Sequence, residues 1–203
     1  MIINISSDNI YIHCGAEMIC VLRWGLEIQL PQIIHHLYTQ GNIGKQVFVI
    51  NGPGSFTNLR IGCLVLNMLN DFGLDVQLYT VAKMDLYRAL WRDACIPAKG
   101  IMYIGQQKNY RLVDFAAGMC EKAQVDLTQL DACFEGEYRV DQASSLVSDY
   151  TLSYMLMSDN QIAFSYRGKQ RVLDPQVLWF EQIDTLVPNY ILQPNISTPK
   201  TQV

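Results

Sequence analysis

The feature that most constrains this chain is a glycine-rich turn between two apolar stretches. Residues 46–50 (Gln-Val-Phe-Val-Ile) form the continuous apolar run that is typical of a central strand. This run leads into the segment Gly52-Pro53-Gly54-Ser55-Phe56-Thr57-Asn58-Leu59-Arg60-Ile61-Gly62. Apolar residues then continue at helical spacing to about Phe72. A strand, a tight turn and a helix joined in this order indicate an α/β fold.

Two roles for the turn are consistent with its local chemistry. Ser55 or Thr57 can cap the following helix by accepting a hydrogen bond from one of its free N–H groups. Alternatively, a glycine-rich turn can bind phosphate at a helix N-terminus. No Gly-Lys-Ser/Thr follows, so the P-loop pattern is not met. The residues alone favour the capped junction over a phosphate site.

The rest of the first half alternates strands and helices. The predicted strands are residues 1–5, 10–14, 18–22, 46–50 and 76–79, the first three as an antiparallel meander. The predicted helices are residues 30–40, with Pro31 in the first turn, the stretch that ends near residue 72, and residues 83–92. This order permits a ribonuclease-H-like subdomain over residues 1–98.

The second half is predicted to be a smaller subdomain, residues 99–193, followed by a flexible tail at 194–203. Its predicted strands are residues 100–104, 110–115, 119–125 and 188–192. Further apolar runs stay unassigned, at residues 127–130, 145–147 and 150–157.

The glycine-rich segment resembles the signature Gly-Pro-Gly-Ser-Phe-Thr-Gly-Leu-Arg-Ile-Gly of the bacterial TsaB family. It departs from that signature at one position, where Asn58 replaces a glycine. The strand before the segment, the helix after it and the run at residues 188–192 are similar to the family's pattern. The motif residues are Gly52, Pro53, Gly54, Ser55, Phe56, Thr57, Arg60 and Gly62.

The resemblance implies a duplicated ribonuclease-H-like, actin-like α/β fold whose second subdomain is reduced. It also implies a non-catalytic subunit of the cytoplasmic complex that adds threonylcarbamoyl to the adenosine beside the anticodon of tRNAs. Such a subunit pairs with the catalytic subunit TsaD, recruits the ATPase TsaE, forms homodimers when alone, and meets tRNA only through the complex. The alternatives are an actin-like ATPase or M22-type peptidase with its own activity, and a self-associating degenerate homologue.

The helix after the turn carries an unusually wide apolar arc. At 100° per residue its apolar positions span about 260°, against the roughly 100° stripe that one core requires. A helix buried on two sides needs two neighbours, which are its own sheet and either another helix of this chain or another protein. The resemblance implies that this helix and the preceding one bind the partner subunit. The predicted interface residues are Ile34, Leu37, Tyr38, Ile61, Leu64, Val65, Met68, Leu69 and Phe72.

Charge and hydropathy count against several other classes of protein. The 203-residue chain has a formal net charge of −4, whereas proteins that bind nucleic acid alone carry a basic surplus. The first residues lack the pattern of a secretion signal, and no apolar stretch reaches the roughly 20 residues of a membrane span. We therefore expect a cytoplasmic protein without a membrane partner.

No catalytic residue, metal site or cofactor is predicted. The six cysteines contain no Cys-x-x-Cys pair and are expected to be reduced thiols. His35 and His36 are adjacent, so on a helix they diverge by about 100° and cannot share a metal ion. Residues 6–7 are Ser-Ser where the family has Asp-Thr, and residues 105–107 offer no acidic group at the second expected position. Both departures count against nucleotide chemistry.

Overall fold

The computed structural model describes residues 1–7, 9–15, 17–96, 98–105, 110–124, 138–139, 153–156, 161–166 and 169–190. These residues form a mixed α/β structure with three helices and three sheets. None of the helices in this part of the chain has the length and apolar character that crossing a bilayer requires.

The largest sheet is built mainly from the first half of the chain. Its elements are β1 (Ile2–Asn4), β2 (Ile10–Cys14), β3 (Glu17–Val21), α1 (Leu26–Thr39), β4 (Gln46–Asn51), α2 (Phe56–Asn67), β5 (Gln77–Ala82) and α3 (Lys83–Arg92). The meander β1–β2–β3 is antiparallel, whereas β1, β4 and β5 run parallel. The parallel strands therefore end at one edge, where the glycine-rich turn begins.

The second half contributes two smaller sheets and one strand of the large sheet. The elements are β6 (Lys99–Tyr103), β7 (Tyr110–Asp114), β8 (Met119–Gln124), β9 (Tyr138–Arg139), β10 (Ser153–Leu156), β11 (Ile162–Tyr166), β12 (Lys169–Leu173) and β13 (Glu181–Ile183). The strand orders are β13-β5-β4-β1-β2-β3, β8-β7-β6-β9 and β10-β11-β12. Because β13 pairs with β5, residues of the predicted second subdomain complete the first sheet.

Two apolar clusters lie on the two faces of the large sheet, as the alternation of side chains along a strand requires. One cluster packs α1 and α2 against the sheet and includes Leu30 and Leu66. The other packs α3 and the strands of the second half, and it includes Leu86 and Phe164. The alternation is visible in β4, where Val49 belongs to the first cluster and Phe48 to the second.

Local patterns placed most first-half elements correctly, but two helix boundaries were wrong. Helix α1 begins at Leu26, four residues before the predicted start, so Pro31 lies inside the helix. Helix α2 ends at Asn67 rather than near Phe72. The side chain of Asn70 exchanges hydrogen bonds with the backbone N–H and C=O of Val76, at 2.8 and 3.0 Å, and so closes the turn that follows.

The predicted strand at residues 188–192 was also wrong in its described part, since residues 188–190 are not a strand. The last strand among the described residues is β13, which the sequence analysis missed. Part of the apolar run at 150–157 forms β10. The runs at 127–130 and 145–147 and the tail at 194–203 lie outside the described residues.

Candidate functional site

Helix α2 and the turn after it present an apolar stripe to solvent. Leu64 and Phe72 are 60% and 67% exposed, and Met68 lies between them at the same four-residue spacing and is also exposed. Tyr38 adds an exposed aromatic ring from α1. Single exposed apolar residues are ordinary, but a contiguous set is typical of an interaction surface. We call these four residues the α2 stripe.

A groove of about 220 Å³ separates α1 from the end of α2. Its lining is mostly apolar and consists of Pro31, Ile34, His35, Tyr38, Val65, Leu69, Phe72 and Leu74. Tyr38 and Phe72 therefore belong both to the stripe and to the groove wall. A concave apolar surface of this kind can accept apolar side chains from another molecule.

The structure divides the nine residues predicted for a partner interface. The four residues of the α2 stripe are exposed, and Ile61 is partly buried. The buried four are Ile34, Leu37, Val65 and Leu69. Helix α1 packs against α2, so these four side chains are covered within this chain, and Ile34, Val65 and Leu69 among them also line the floor of the groove. The exposed four remain available to another molecule.

A second part of α2 is covered by residues 184–190, which we call the C-terminal strap. The amide of Asn67 donates to the carbonyl of Leu186 at 3.0 Å, and its Oδ1 accepts from the Leu186 N–H at 2.8 Å. The rings of Phe56 and Tyr190 stack with centroids 5.1 Å apart. The strap lies more than 100 residues from α2 in sequence, so no local pattern indicates this contact.

Ser55, rather than Thr57, caps α2. The Ser55 Oγ accepts from the backbone N–H of Asn58 at 3.4 Å. Thr57 instead accepts a hydrogen bond from Arg23 at 3.3 Å. Asn58, which departs from the family signature, is fully buried and donates to the carbonyl of Ser7 at 2.9 Å. The asparagine therefore ties the first turn of α2 to the loop after β1.

Two glycines of the motif, Gly52 and Gly54, are required by the chain's own backbone. A Cβ on Gly54 would lie 1.6 Å from the carbonyl oxygen of Ser6, and one on Gly52 would lie 1.8 Å from that of Asn189. A Cβ on Gly105 would lie 2.1 Å from the carbonyl oxygen of Gly54. These close approaches explain the glycines without a phosphate, which favours the structural role of the turn.

A buried polar cluster lies beside this turn, at the carboxyl end of β1. The Oδ1 of Asn4 accepts from the N–H and the hydroxyl of Ser6 at 2.9 and 2.6 Å, and its amide donates to Ser7 Oγ at 3.0 Å. The Nζ of Lys83 donates to the carbonyl of Ser6 at 3.3 Å, although Lys83 is completely buried. Sequence analysis singled out Ser6 and Ser7 but missed Asn4 and Lys83. The position of Lys83 directly after a parallel strand was the available signal.

The histidines and cysteines form no metal constellation in the described ranges, where no three His, Cys, Asp or Glu side chains are grouped to hold an ion. His35 and His36 are both exposed on α1. His13 is buried, and this burial lowers its pKa to about 4. Burial raises the pKa of the Cys63 thiol to about 12, which disfavours the thiolate needed for nucleophilic attack.

Comparison with known proteins found no matching family model and no similar curated protein. Among solved structures, YeaZ from Pseudomonas aeruginosa is 18% identical with a TM-score of 0.36, covering 61% of this chain and 63% of that one. An uncharacterized protein with similarity to peptidase YEAZ from Pseudomonas aeruginosa is also 18% identical, with a TM-score of 0.35 and coverages of 61% and 62%. The chain spans less than two thirds of either protein. These values do not establish a shared fold, so the family hypothesis rests on residues 52–62.

Proposed function

We propose that this chain is a TsaB-type, non-catalytic subunit that binds a TsaD-type catalytic subunit in the tRNA threonylcarbamoyladenosine pathway. The proposal includes a duplicated ribonuclease-H-like, actin-like fold, a TsaE-type ATPase as a further partner, a cytoplasmic location, and contact with tRNA only within the complex. It is supported by the resemblance of residues 52–62 to the family signature.

The observation that carries the binding role is the α2 stripe. Leu64 and Phe72 are large apolar side chains held in solvent on one face, and the groove beside Phe72 is lined almost entirely by apolar side chains. Covering such residues removes apolar surface from water, at about 25 cal/mol per Å². A helix pair from a partner can dock its own apolar stripe there by ridges-into-grooves packing.

Co-expression with the TsaD-type protein of the same genome tests this role. The substitutions Leu64→Glu and Phe72→Glu each place a charge within the stripe, on either side of Met68, without altering the buried core. We expect each to abolish co-purification, because an unpaired carboxylate in an apolar interface costs several kcal/mol. Val65→Glu is not a suitable probe, since Val65 is only 8% exposed and the substitution would destabilise the monomer.

Val177→Glu is the matched control. Val177 is 51% exposed in the turn after β12, which packs on the opposite face of the large sheet. We expect this variant to co-purify like the wild type, and circular dichroism should show all three variants folded. Retention of the partner by Leu64→Glu and Phe72→Glu would remove the α2 stripe from the proposal.

The pathway role needs a separate measurement. A reconstituted tRNA modification assay with TsaD-type and TsaE-type proteins should require this chain, and Phe72→Glu should lose activity in step with loss of binding. Full tRNA modification in the absence of this chain would refute the assignment. When the partner is absent, we expect the α2 stripe to mediate self-association.

A further inference from the structure

The outer edge of the large sheet is a second surface with unusual properties. Strand β3 ends the strand order, and within the described ranges it pairs only with β2. Exposed edge strands are normally protected by lysine, proline or a bulge. The sequence of β3 is Glu-Met-Ile-Cys-Val, and its register with β2 runs from Glu17 to Val21 without interruption. This strand contains no lysine, proline or bulge, and its one charged residue is Glu17 at the end beside the hairpin turn.

The hairpin register fixes which backbone groups point outward. Cys14 pairs with Glu17 across a connection of two residues, and two-residue hairpins close on a hydrogen-bonded pair. Hydrogen-bonded and non-bonded pairs alternate along an antiparallel ladder. The N–H and C=O groups of Glu17, Ile19 and Val21 therefore face β2. Those of Met18 and Cys20 face away from the sheet.

The side chains of the same residues form an apolar row. Met18 and Leu22 are 56% and 57% exposed, and Cys20 between them is exposed as well. They alternate with Ile19 and Val21, which pack into the cluster under α1. Among the described residues, nothing pairs with these outward ladder positions or covers the apolar row, and this is the combination used in β-strand addition.

We propose that a second copy of this chain adds its β3 antiparallel to this edge, with the two Cys20 residues on the twofold axis. In this register Met18 faces Leu22 of the second copy, so each apolar row covers the other. Glu17 faces Arg23 of the second copy, an exposed residue two positions beyond the end of β3. The Arg23 guanidinium, which donates to Thr57 at 3.3 Å within its own copy, exchanges that exposed hydrogen bond for the Glu17 carboxylate, and twofold symmetry forms this pair twice. A twofold axis at any other residue would not bring these opposite charges together.

Charge reversal tests this register directly. Glu17→Arg or Arg23→Glu alone replaces two attractions with two repulsions, and each should raise the dimer dissociation constant roughly tenfold. The double variant Glu17→Arg/Arg23→Glu restores both pairs in reversed order and should recover most of the lost affinity. Sedimentation velocity on the full chain measures the dimer dissociation constant of all three variants. Each variant also carries Phe72→Glu, which blocks self-association through the α2 stripe.

Cross-linking through the native Cys20 gives a second readout. Because the backbone groups of Cys20 face outward, the two Cys20 residues form a hydrogen-bonded pair, whose Cα atoms lie about 5.5 Å apart, and a disulfide can span this distance. Mild oxidation should therefore join Cys20 to Cys20 in a covalent dimer, identified by non-reducing peptide mapping. Cys20→Ser should remove this species, and Met18→Lys should suppress it by placing a lysine on the edge.

Three results would overturn the proposal. The first is that the Phe72→Glu protein stays monomeric at its highest soluble concentration. The second is that neither charge reversal nor Met18→Lys raises the dimer dissociation constant. The third is that oxidation produces no disulfide-linked Cys20–Cys20 peptide. None of these results bears on binding of the TsaD-type partner, which Phe72→Glu tests through the α2 stripe. The proposed β3 dimer and the proposed binding of the TsaD-type partner can therefore be refuted independently.

Discussion

The close approach of Gly54 to Ser6 makes Gly54→Ala the sharpest test of how the glycine-rich turn is built. An alanine Cβ would lie 1.6 Å from the Ser6 carbonyl oxygen, whereas real Cβ contacts essentially never fall below 3.0 Å. The two segments would therefore have to separate by the difference, about 1.4 Å. The atom in the way belongs to backbone, so no side-chain rotation can relieve the clash.

The cost of this separation follows from what holds Ser6 in place. The N–H and the hydroxyl of Ser6 donate hydrogen bonds to the Oδ1 of Asn4. The Ser6 carbonyl accepts a hydrogen bond from the Nζ of the buried Lys83 at 3.3 Å. Overpacking costs about 1–3 kcal/mol, and leaving a buried polar group without its hydrogen bond costs about 1–3 kcal/mol more. We expect Gly54→Ala to lower the free energy of unfolding by about 2–6 kcal/mol, the sum of the two costs, which is a large share of the roughly 5–15 kcal/mol of a typical domain.

Urea unfolding followed by tryptophan fluorescence measures this loss by linear extrapolation. Gly44→Ala is the matched control, because a Cβ on Gly44 meets nothing within 4 Å. We expect it to stay within about 1 kcal/mol of the wild type. Equal unfolding midpoints for Gly54→Ala and Gly44→Ala would show that the contact with Ser6 does not require a glycine.

Three further predictions concern buried groups. Val65→Glu should lower the free energy of unfolding by about 3 kcal/mol or more in the same urea assay, while Leu64→Glu should change it by less than about 1 kcal/mol, because only Val65 is buried. At pH 8, iodoacetamide should label Cys63, whose pKa is raised to about 12 by burial, far more slowly than the exposed Cys20, and equal rates by peptide mass spectrometry would contradict this. The pKa of His13 is lowered to about 4, below its ordinary value of 6.5. As the pH falls, His13 of the unfolded chain therefore binds its proton at a higher pH than His13 of the folded chain does. The free energy of unfolding should therefore fall between pH 6.5 and pH 4, by at most about 1.4 kcal/mol per pH unit, and His13→Gln should flatten that part of the pH profile.

Elements with strong local signals were predictable from the sequence. Helix α3 and strand β2 have the predicted boundaries, Lys83–Arg92 and Ile10–Cys14. The antiparallel meander of β1, β2 and β3 was also correct, since short apolar runs separated by turn residues indicate it directly. Ser55 was one of two predicted caps for α2, and the structure selects it.

The errors arose where a distant contact or a side-chain hydrogen bond overrides the local pattern. Helix α2 stops at Asn67 although apolar residues continue, because Asn70 bonds to the backbone of Val76 and turns the chain. Strand β13 was missed since its only described partner, β5, lies about 100 residues earlier. A strand of three residues, of which Glu181 and Gln182 are exposed, carries little periodic signal of its own.

The sequence by itself determined that the glycine-rich turn joins a buried strand to a helix and that this helix is apolar around most of its circumference. It could not decide which of those apolar residues another part of the chain covers. The tertiary structure decided this by packing α1 over Val65 and Leu69 while leaving Leu64 and Phe72 in solvent. The physical reason is that helical periodicity records the direction of each side chain, whereas burial depends on neighbours that loops and distant strands bring into place.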